Sequence, residues 1–432
     1  MWNKLTGLML TITIVTLGGS VASTQPPALT PVEQLGRFLF FDKISAPGPW
    51  MSCATCHGPE VGWTGPIPGN NIHGGVYRGA MPTRFGNRKP PAASYATFSP
   101  VFAFDSTLGE FVGGNFWDGR ATGERLGNPA AEQALGPFLN PVEQNMPSKT
   151  AVCEHVAASK YAGLFEQVWG IGTLDCSPSG VDDTYDRFGL SIAAYEGSPE
   201  VSPFNSKFDD YWRACLAAGN TDTACGLVAD GDRAVLDPAG ILTDKEWDGF
   251  IEFSEYCSQC HTSTAGPDGA PPLFTDFTFA NLGLPRNPRN PFYGMDDEFL
   301  DDGQPINPLG EDYVDFGLGE FLLTRPEWAH LAWDNDGKQR VPTLRNVDKR
   351  PGKEFSKAYM HNGVLKDLKD VVHFYNTRDV PGAGWAPPEV DRNISRELLT
   401  GKPLGNLELD EHAENAIVEF LKTLTDRNVK GR

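Results

Sequence analysis

Cys53-Ala54-Thr55-Cys56-His57 and Cys257-Ser258-Gln259-Cys260-His261 are two complete Cys-x-x-Cys-His units in one chain, and their reading decides the fold. Two thiols three positions apart on a helical turn can reach both vinyl groups of one haem, while the next imidazole reaches the iron. Each unit therefore supplies a covalent tether and a proximal ligand, His57 in the first and His261 in the second. The competing uses of a Cys-x-x-Cys pair are a thioredoxin-like redox site and a zinc site. The first needs a βαβ setting that neither unit has. The second needs both distant pairs to meet at one metal. Two covalently bound haem c groups are the expectation.

Outward from these units, Lys4 precedes the apolar run Leu8 to Leu17 and the small residues Gly18-Gly19-Ser20-Val21-Ala22-Ser23. This is the pattern of a secretory signal peptide over residues 1–23 and predicts export to the periplasm. No later stretch approaches eighteen apolar residues, so no membrane span is expected in the mature protein. The other cysteines, Cys153, Cys176, Cys215 and Cys225, form an even set in an oxidising compartment. Three pairings are open to them, and the short loops, Cys153 with Cys176 and Cys215 with Cys225, close at least entropic cost. With 36 Lys and Arg against 56 Asp and Glu, the net charge is −20 and no basic run interrupts it. That disfavours a nucleic-acid backbone or an anionic lipid surface as partner and would attract a basic protein. The 47 Gly and 35 Pro predict long ordered loops.

The chain also repeats a plan. Thr30-Pro31-Val32-Glu33 is a capping box with Pro at the first helical position, opening an apolar helix through Leu35, Phe38 and Leu39 towards Cys53. Thr243-Asp244-Lys245-Glu246 is a second capping box, opening a helix through Trp247, Phe250 and Ile251 into Cys257. After Asp410, the residues Ala413, Ile417, Phe420, Leu421 and Leu424 follow helical spacing. Strand patterns are scarce, so the fold class is mainly α. Asp, Gly and Pro cluster near Ala229 to Gly240 and predict a boundary there, with domains over 24–235 and 236–432.

Five segments in order carry a resemblance: Leu35-Gly36-Arg37-Phe38-Leu39-Phe40-Phe41-Asp42, Ser52 to His57, Phe116-Trp117-Asp118-Gly119-Arg120-Ala121, Gly136-Pro137-Phe138-Leu139-Asn140-Pro141-Val142-Glu143, and Val341-Pro342-Thr343-Leu344-Arg345-Asn346-Val347. They resemble the bacterial dihaem cytochrome c peroxidase and MauG superfamily. The resemblance implies two cytochrome c-like helical domains with long loops and one covalent haem each, the N-terminal haem reacting with peroxide and the C-terminal one transferring electrons. It also implies a distal Gln, Pro and Glu, whose spacing is matched by Gln133, Pro137 and Glu143. A carboxylate there can shuttle a proton between the oxygens of a peroxide, and Gln133 can hold the bound oxygen species. Trp117 resembles the tryptophan that relays electrons between the haems.

Members of the superfamily part at the distal ligand of the C-terminal haem. Peroxidases carry Met sixteen residues after the Tyr of a Tyr-x-His-x-Gly motif, and MauG-type enzymes carry Tyr. Here Tyr359-Met360-His361-Asn362-Gly363 puts Tyr375 at that position, with Met360 as the competing ligand. Independently, Leu368, Val371, Val372 and Tyr375 follow the i, i+3, i+4, i+7 rule of one helix face. His73 stands sixteen residues after His57, where some peroxidases have a distal ligand, yet it falls in an apparent insertion, Asn70 to Gly75, so a ligand and an exposed loop residue are both open. The family's calcium would find backbone carbonyls at Ser356 and Ala358, whereas the family's Asn ligand falls on or near Lys89.

Three functions follow from the resemblance. A MauG-like oxidase would use hydrogen peroxide to form a high-valent dihaem state that oxidises a partner protein. A peroxidase would reduce hydrogen peroxide with electrons from a small cytochrome or copper protein. A dihaem electron carrier would react with no peroxide. Tyr375 favours the first and Glu143 disfavours the third.

Overall fold

The computed structural model describes residues 28–229 and 231–427. The signal-peptide reading of residues 1–23 lies outside the described residues. Both capping boxes form. Thr30 Oγ1 accepts from the Glu33 N–H while Glu33 accepts from the Thr30 N–H at 2.6 Å, opening a helix over Pro31–Phe41. Thr243 and Glu246 do the same for the helix Asp244–Tyr256. Each cap satisfies N–H groups that a helix start leaves unbonded.

Each of these helices crosses a later one at a glycine. A Cβ on Gly36 would lie 1.8 Å from the Ser191 carbonyl oxygen, in the helix Val181–Glu196. A Cβ on Gly249 would lie 1.9 Å from the Ala416 carbonyl oxygen, in the helix Glu411–Lys422. Only glycine lets the backbones approach so closely. Around the first crossing, Leu35, Leu39, Phe40, Leu135, Phe138, Phe188 and Ile192 form one core. Around the second, Trp247, Phe250, Phe253, Leu368, Val372, Ile417 and Phe420 form another, with the Phe250 and Phe420 rings stacked at 4.5 Å. Each such fully buried aromatic or aliphatic side chain contributes roughly 1.5–3 kcal/mol.

The helix Lys207–Ala217 puts Phe208, Tyr211, Trp212 and Cys215, spaced as one face, into the second core rather than the first. The chain leaves the first core after Val201. Asp209 on this helix receives two hydrogen bonds of 2.9 Å from Arg345, both side chains fully buried. That pair ties residues 206–228 to the Val341–Val347 segment. Disulfides Cys153–Cys176 and Cys215–Cys225 form as expected, one attached to each core.

Strands are few. Ala103–Asp105 pairs antiparallel with Glu110–Val112, and Phe279–Ala280 with Gln339–Arg340. Phe102, Phe111, Phe279, Leu318 and Leu322 join these segments in a smaller cluster. Among the described residues no helix is long and apolar enough to cross a membrane.

Candidate active site

The two Cys-x-x-Cys-His units fold into matching turns. The His57 N–H bonds the Cys53 carbonyl at 3.0 Å, and the His261 N–H bonds the Cys257 carbonyl at 3.0 Å. In the first unit, His57 Nδ1–H donates to the Trp63 carbonyl at 3.0 Å; in the second, His261 Nδ1–H donates to the Phe274 carbonyl at 2.9 Å. Each bond sets the tautomer that leaves Nε2 free as a metal ligand. Burial pushes both imidazoles down to about 4, so they are neutral at physiological pH. The four thiols are unpaired, and burial raises all of them, to about 12 for Cys53, Cys257 and Cys260. Cys53 and Cys56 line one pocket, Cys257 and Cys260 another, so the four do not converge on one zinc ion.

The second pocket is a cavity of about 850 Å³, more apolar than polar, with Cys257, Cys260 and His261 in its wall. Leu368, Val371, Val372 and Tyr375 all line it from the helix Leu368–Thr377, as does Met360. Burial raises the Tyr375 phenol above its ordinary value, an effect that a cation at its oxygen would offset. Arg340 also lines the cavity. It is buried, its side chain makes one long bond, to Ser99 Oγ at 3.5 Å, and desolvation lowers it to about 10. Size, apolar wall, thiol pair, imidazole and a cation suited to a propionate fit a haem here.

The first pocket brings Gln133, Pro137 and Glu143 together with Cys53, Cys56 and His57. Gln133 and Pro137 come from the helix Pro129–Leu139, and Glu143 from the turn that follows. Burial raises the Glu143 carboxyl above its ordinary value, opposed by Arg120 and by a hydrogen bond from Asn140. The donor set fits haem, but the enclosed space is about 40 Å³, enough for water-sized occupants.

Trp117 is buried beside the second cavity. Its indole N–H donates to the Lys89 carbonyl at 2.7 Å, its own carbonyl accepts from the Arg340 N–H at 2.7 Å, and its ring lines the second cavity. Phe116 at φ 64° and Gly119 at φ 77° give the loop its tight course. Arg88, bonded at 2.6 Å to both Asp118 and Asp315, anchors it. His73 ends the short helix Pro68–His73, is exposed, and lines neither pocket. The Ser356 carbonyl accepts from Asn71 Nδ2 at 3.0 Å, and Ala358 is buried.

Sequence reasoning missed Glu196 and Arg340. Glu196, at the end of the helix Val181–Glu196, lines the first pocket with its Oε2 unbonded, and burial raises it to about 8. Its signal was faint: one acid at the end of an apolar helix face. Arg340 stands next to Val341-Pro342, where the motif itself drew attention away. Lys89 was noted only as a departure from a pattern, yet it is buried, and desolvation lowers it to about 8.

Comparisons with known proteins place the chain in a family. A family model described as di-haem cytochrome c peroxidase matches residues 31–215. The chain is 33% identical over 429 residues to the methylamine utilization protein MauG of Paracoccus denitrificans, covering 96% of this chain and 94% of that protein. It is 31% identical over 373 residues to the cytochrome c551 peroxidase of Pseudomonas aeruginosa, covering 86% of this chain and 79% of that protein. The crystal structure of the diheme peroxidase BthA from Burkholderia thailandensis superposes with a TM-score of 0.68 at 26% identity, covering 93% of this chain and 87% of that one. Because that likeness runs through nearly the whole chain, the protein belongs to the di-haem cytochrome c peroxidase and MauG family of peroxide-dependent haem oxidoreductases.

Proposed function

We propose that the protein is a periplasmic MauG-like enzyme, with two cytochrome c-like domains each carrying one covalent haem c, which uses hydrogen peroxide to oxidise a partner protein. The observation that carries this reading is Tyr375, set on the helix face that lines the His261 cavity. A tyrosinate is a hard anionic donor that favours oxidised iron, whereas Met raises the reduction potential. The haems, when bound, supply the iron that accepts oxidising equivalents from peroxide. His57 and His261 would hold the two groups through Nε2, each with its Nδ1–H fixed on a carbonyl.

Glu143 would take up and return a proton at hydrogen peroxide, a task suited to a carboxyl whose affinity for the proton is raised by burial. Gln133 would donate a hydrogen bond to the peroxide, and Pro137 lines the pocket without adding a donor. Trp117 relays oxidising equivalents, its indole N–H engaged by the Lys89 carbonyl. The export reading rests on residues 1–23.

Tyr375→Phe tests this reading. Oxidation of a protein substrate should be lost while circular dichroism and thermal melting stay as in wild type. Tyr375→Met should raise the potential of the C-terminal haem and shift the enzyme towards a cytochrome-dependent peroxidase. Met360 in the same cavity supports the alternative peroxidase reading. A thioether-ligated haem in wild-type protein, with rapid turnover on a reduced cytochrome, would establish that alternative.

A further inference from the structure

Between the two pockets, lysine ammonium groups hold the backbone carbonyls and hydroxyl oxygens. Lys89, 9% exposed, donates from Nζ to Thr64 Oγ1 at 2.8 Å and to the Pro90 carbonyl at 3.0 Å. Lys357, 4% exposed, donates from Nζ to the Asn346 and Val347 carbonyls at 2.8 and 2.9 Å. No carboxylate acts on the Lys89 ammonium among the described residues. A buried unpaired cation is costly, and hydrogen bonds to neutral oxygens offset only part of that cost.

The backbone of Lys89 touches both sides. Its carbonyl accepts from the Trp117 indole, its N–H donates to the His361 carbonyl at 2.7 Å, and its ammonium reaches Thr64, next to the Trp63 carbonyl that orients His57. His361 lines the second cavity and stands 6.4 Å from Trp117 between ring centres. The ammonium therefore places one positive charge where its field reaches both haem sites and the indole between them.

Calcium needs about six to eight oxygen ligands, usually including carboxylates. The expected carbonyls do not offer such a cage. That of Ser356 is taken by Asn71 Nδ2, Ser356 and Ala358 flank the buried Lys357, and the side-chain ligand position carries the Lys89 ammonium. Two buried lysines donate where a dication would need acceptors, and the positive charge of Lys89 repels it; burial and the same repulsion push Lys357 well below its ordinary value. The residues present do not fit calcium.

We infer that Lys89 is a built-in cation that takes the place of a calcium ion between the two haem sites and holds the Trp117 bridge without added metal. The inference rests on the two-haem reading above. Its test is the holoenzyme purified without chelator, dialysed, and assayed on one sample for calcium and for haem. Calcium should be far below one per chain, and EGTA or added calcium chloride should leave both haem absorption and electron paramagnetic resonance spectra unchanged. Lys89→Met should lower the reduction potential of both haems, because a positive charge disfavours the oxidised iron, and Lys89→Arg should restore it. Stoichiometric calcium whose removal alters the haem spectra would overturn the inference, as would unchanged potentials in folded Lys89→Met. A haem count other than two would overturn the two-haem reading instead, while the calcium measurement would still decide the role of Lys89.

Discussion

Around Cys53–His57 the facing side chains are Gln133, Glu143 and Glu196, in a pocket of about 40 Å³. Around Cys257–His261 they are Leu368, Val371, Val372 and Tyr375, in a cavity of about 850 Å³. The turns themselves match: a capped helix, a glycine crossing, and a histidine whose Nδ1–H is held by a carbonyl. The shared Cys-x-x-Cys-His turns therefore say nothing about how the two sites differ in role. That difference comes from the opposite wall. Carboxyls whose proton affinity is raised by burial suit proton transfer at the first site, and an apolar helix face with one phenol suits ligation at the second.

The largest test of this comparison removes one tether at a time. Cys257→Ala with Cys260→Ala should take a pyridine haemochrome count from two haems to one and leave the first site's spectrum in place; Cys53→Ala with Cys56→Ala should do the converse. A loss of both haems from either variant would show that the sites do not load independently. Next, Glu143→Gln should slow peroxide consumption by about two to four orders of magnitude, measured by stopped flow, with both haem spectra nearly intact. The same change at Glu389, a half-buried carboxyl of the second cavity raised to about 7, should alter that rate only slightly. Equal losses would erase the division of labour.

Glu196 offers a pH-dependent contrast. Its folded value, about 8, lies above its ordinary 4.5, so the folded state holds this proton more tightly than the unfolded state. The resulting stability is fully present below about 4.5 and is lost as pH rises through about 8. Glu196→Gln should therefore gain stability over wild type at pH 8 relative to pH 5, by on the order of a few kcal/mol in denaturant titrations at the two pH values. The smallest expected effect probes what the two halves share. Gly36→Ala and Gly249→Ala should each destabilise by about 1–3 kcal/mol, because a methyl group meets a carbonyl at either crossing. A clear inequality in melting between them would mean that one crossing relaxes where the other cannot.

Much of this was written in short-range patterns. The Cys-x-x-Cys-His spacing, the two capping boxes, the helical spacing from Leu368 to Tyr375 and the short disulfide loops each involve residues a few positions or one loop apart, and local geometry ties such residues to one another whatever the rest of the chain does. Tertiary structure decided the rest. It assigned the helix Lys207–Ala217 to the second core through Phe208 and the buried Asp209–Arg345 pair, left His73 on the surface, closed Glu196 over the first site and set Lys89 beneath Trp117. Those outcomes depend on contacts between residues tens to hundreds of positions apart. An acid or lysine reads the same in sequence whether it meets water or the inside of the protein; only the fold determines which, and with it the charge, partner and role of the group.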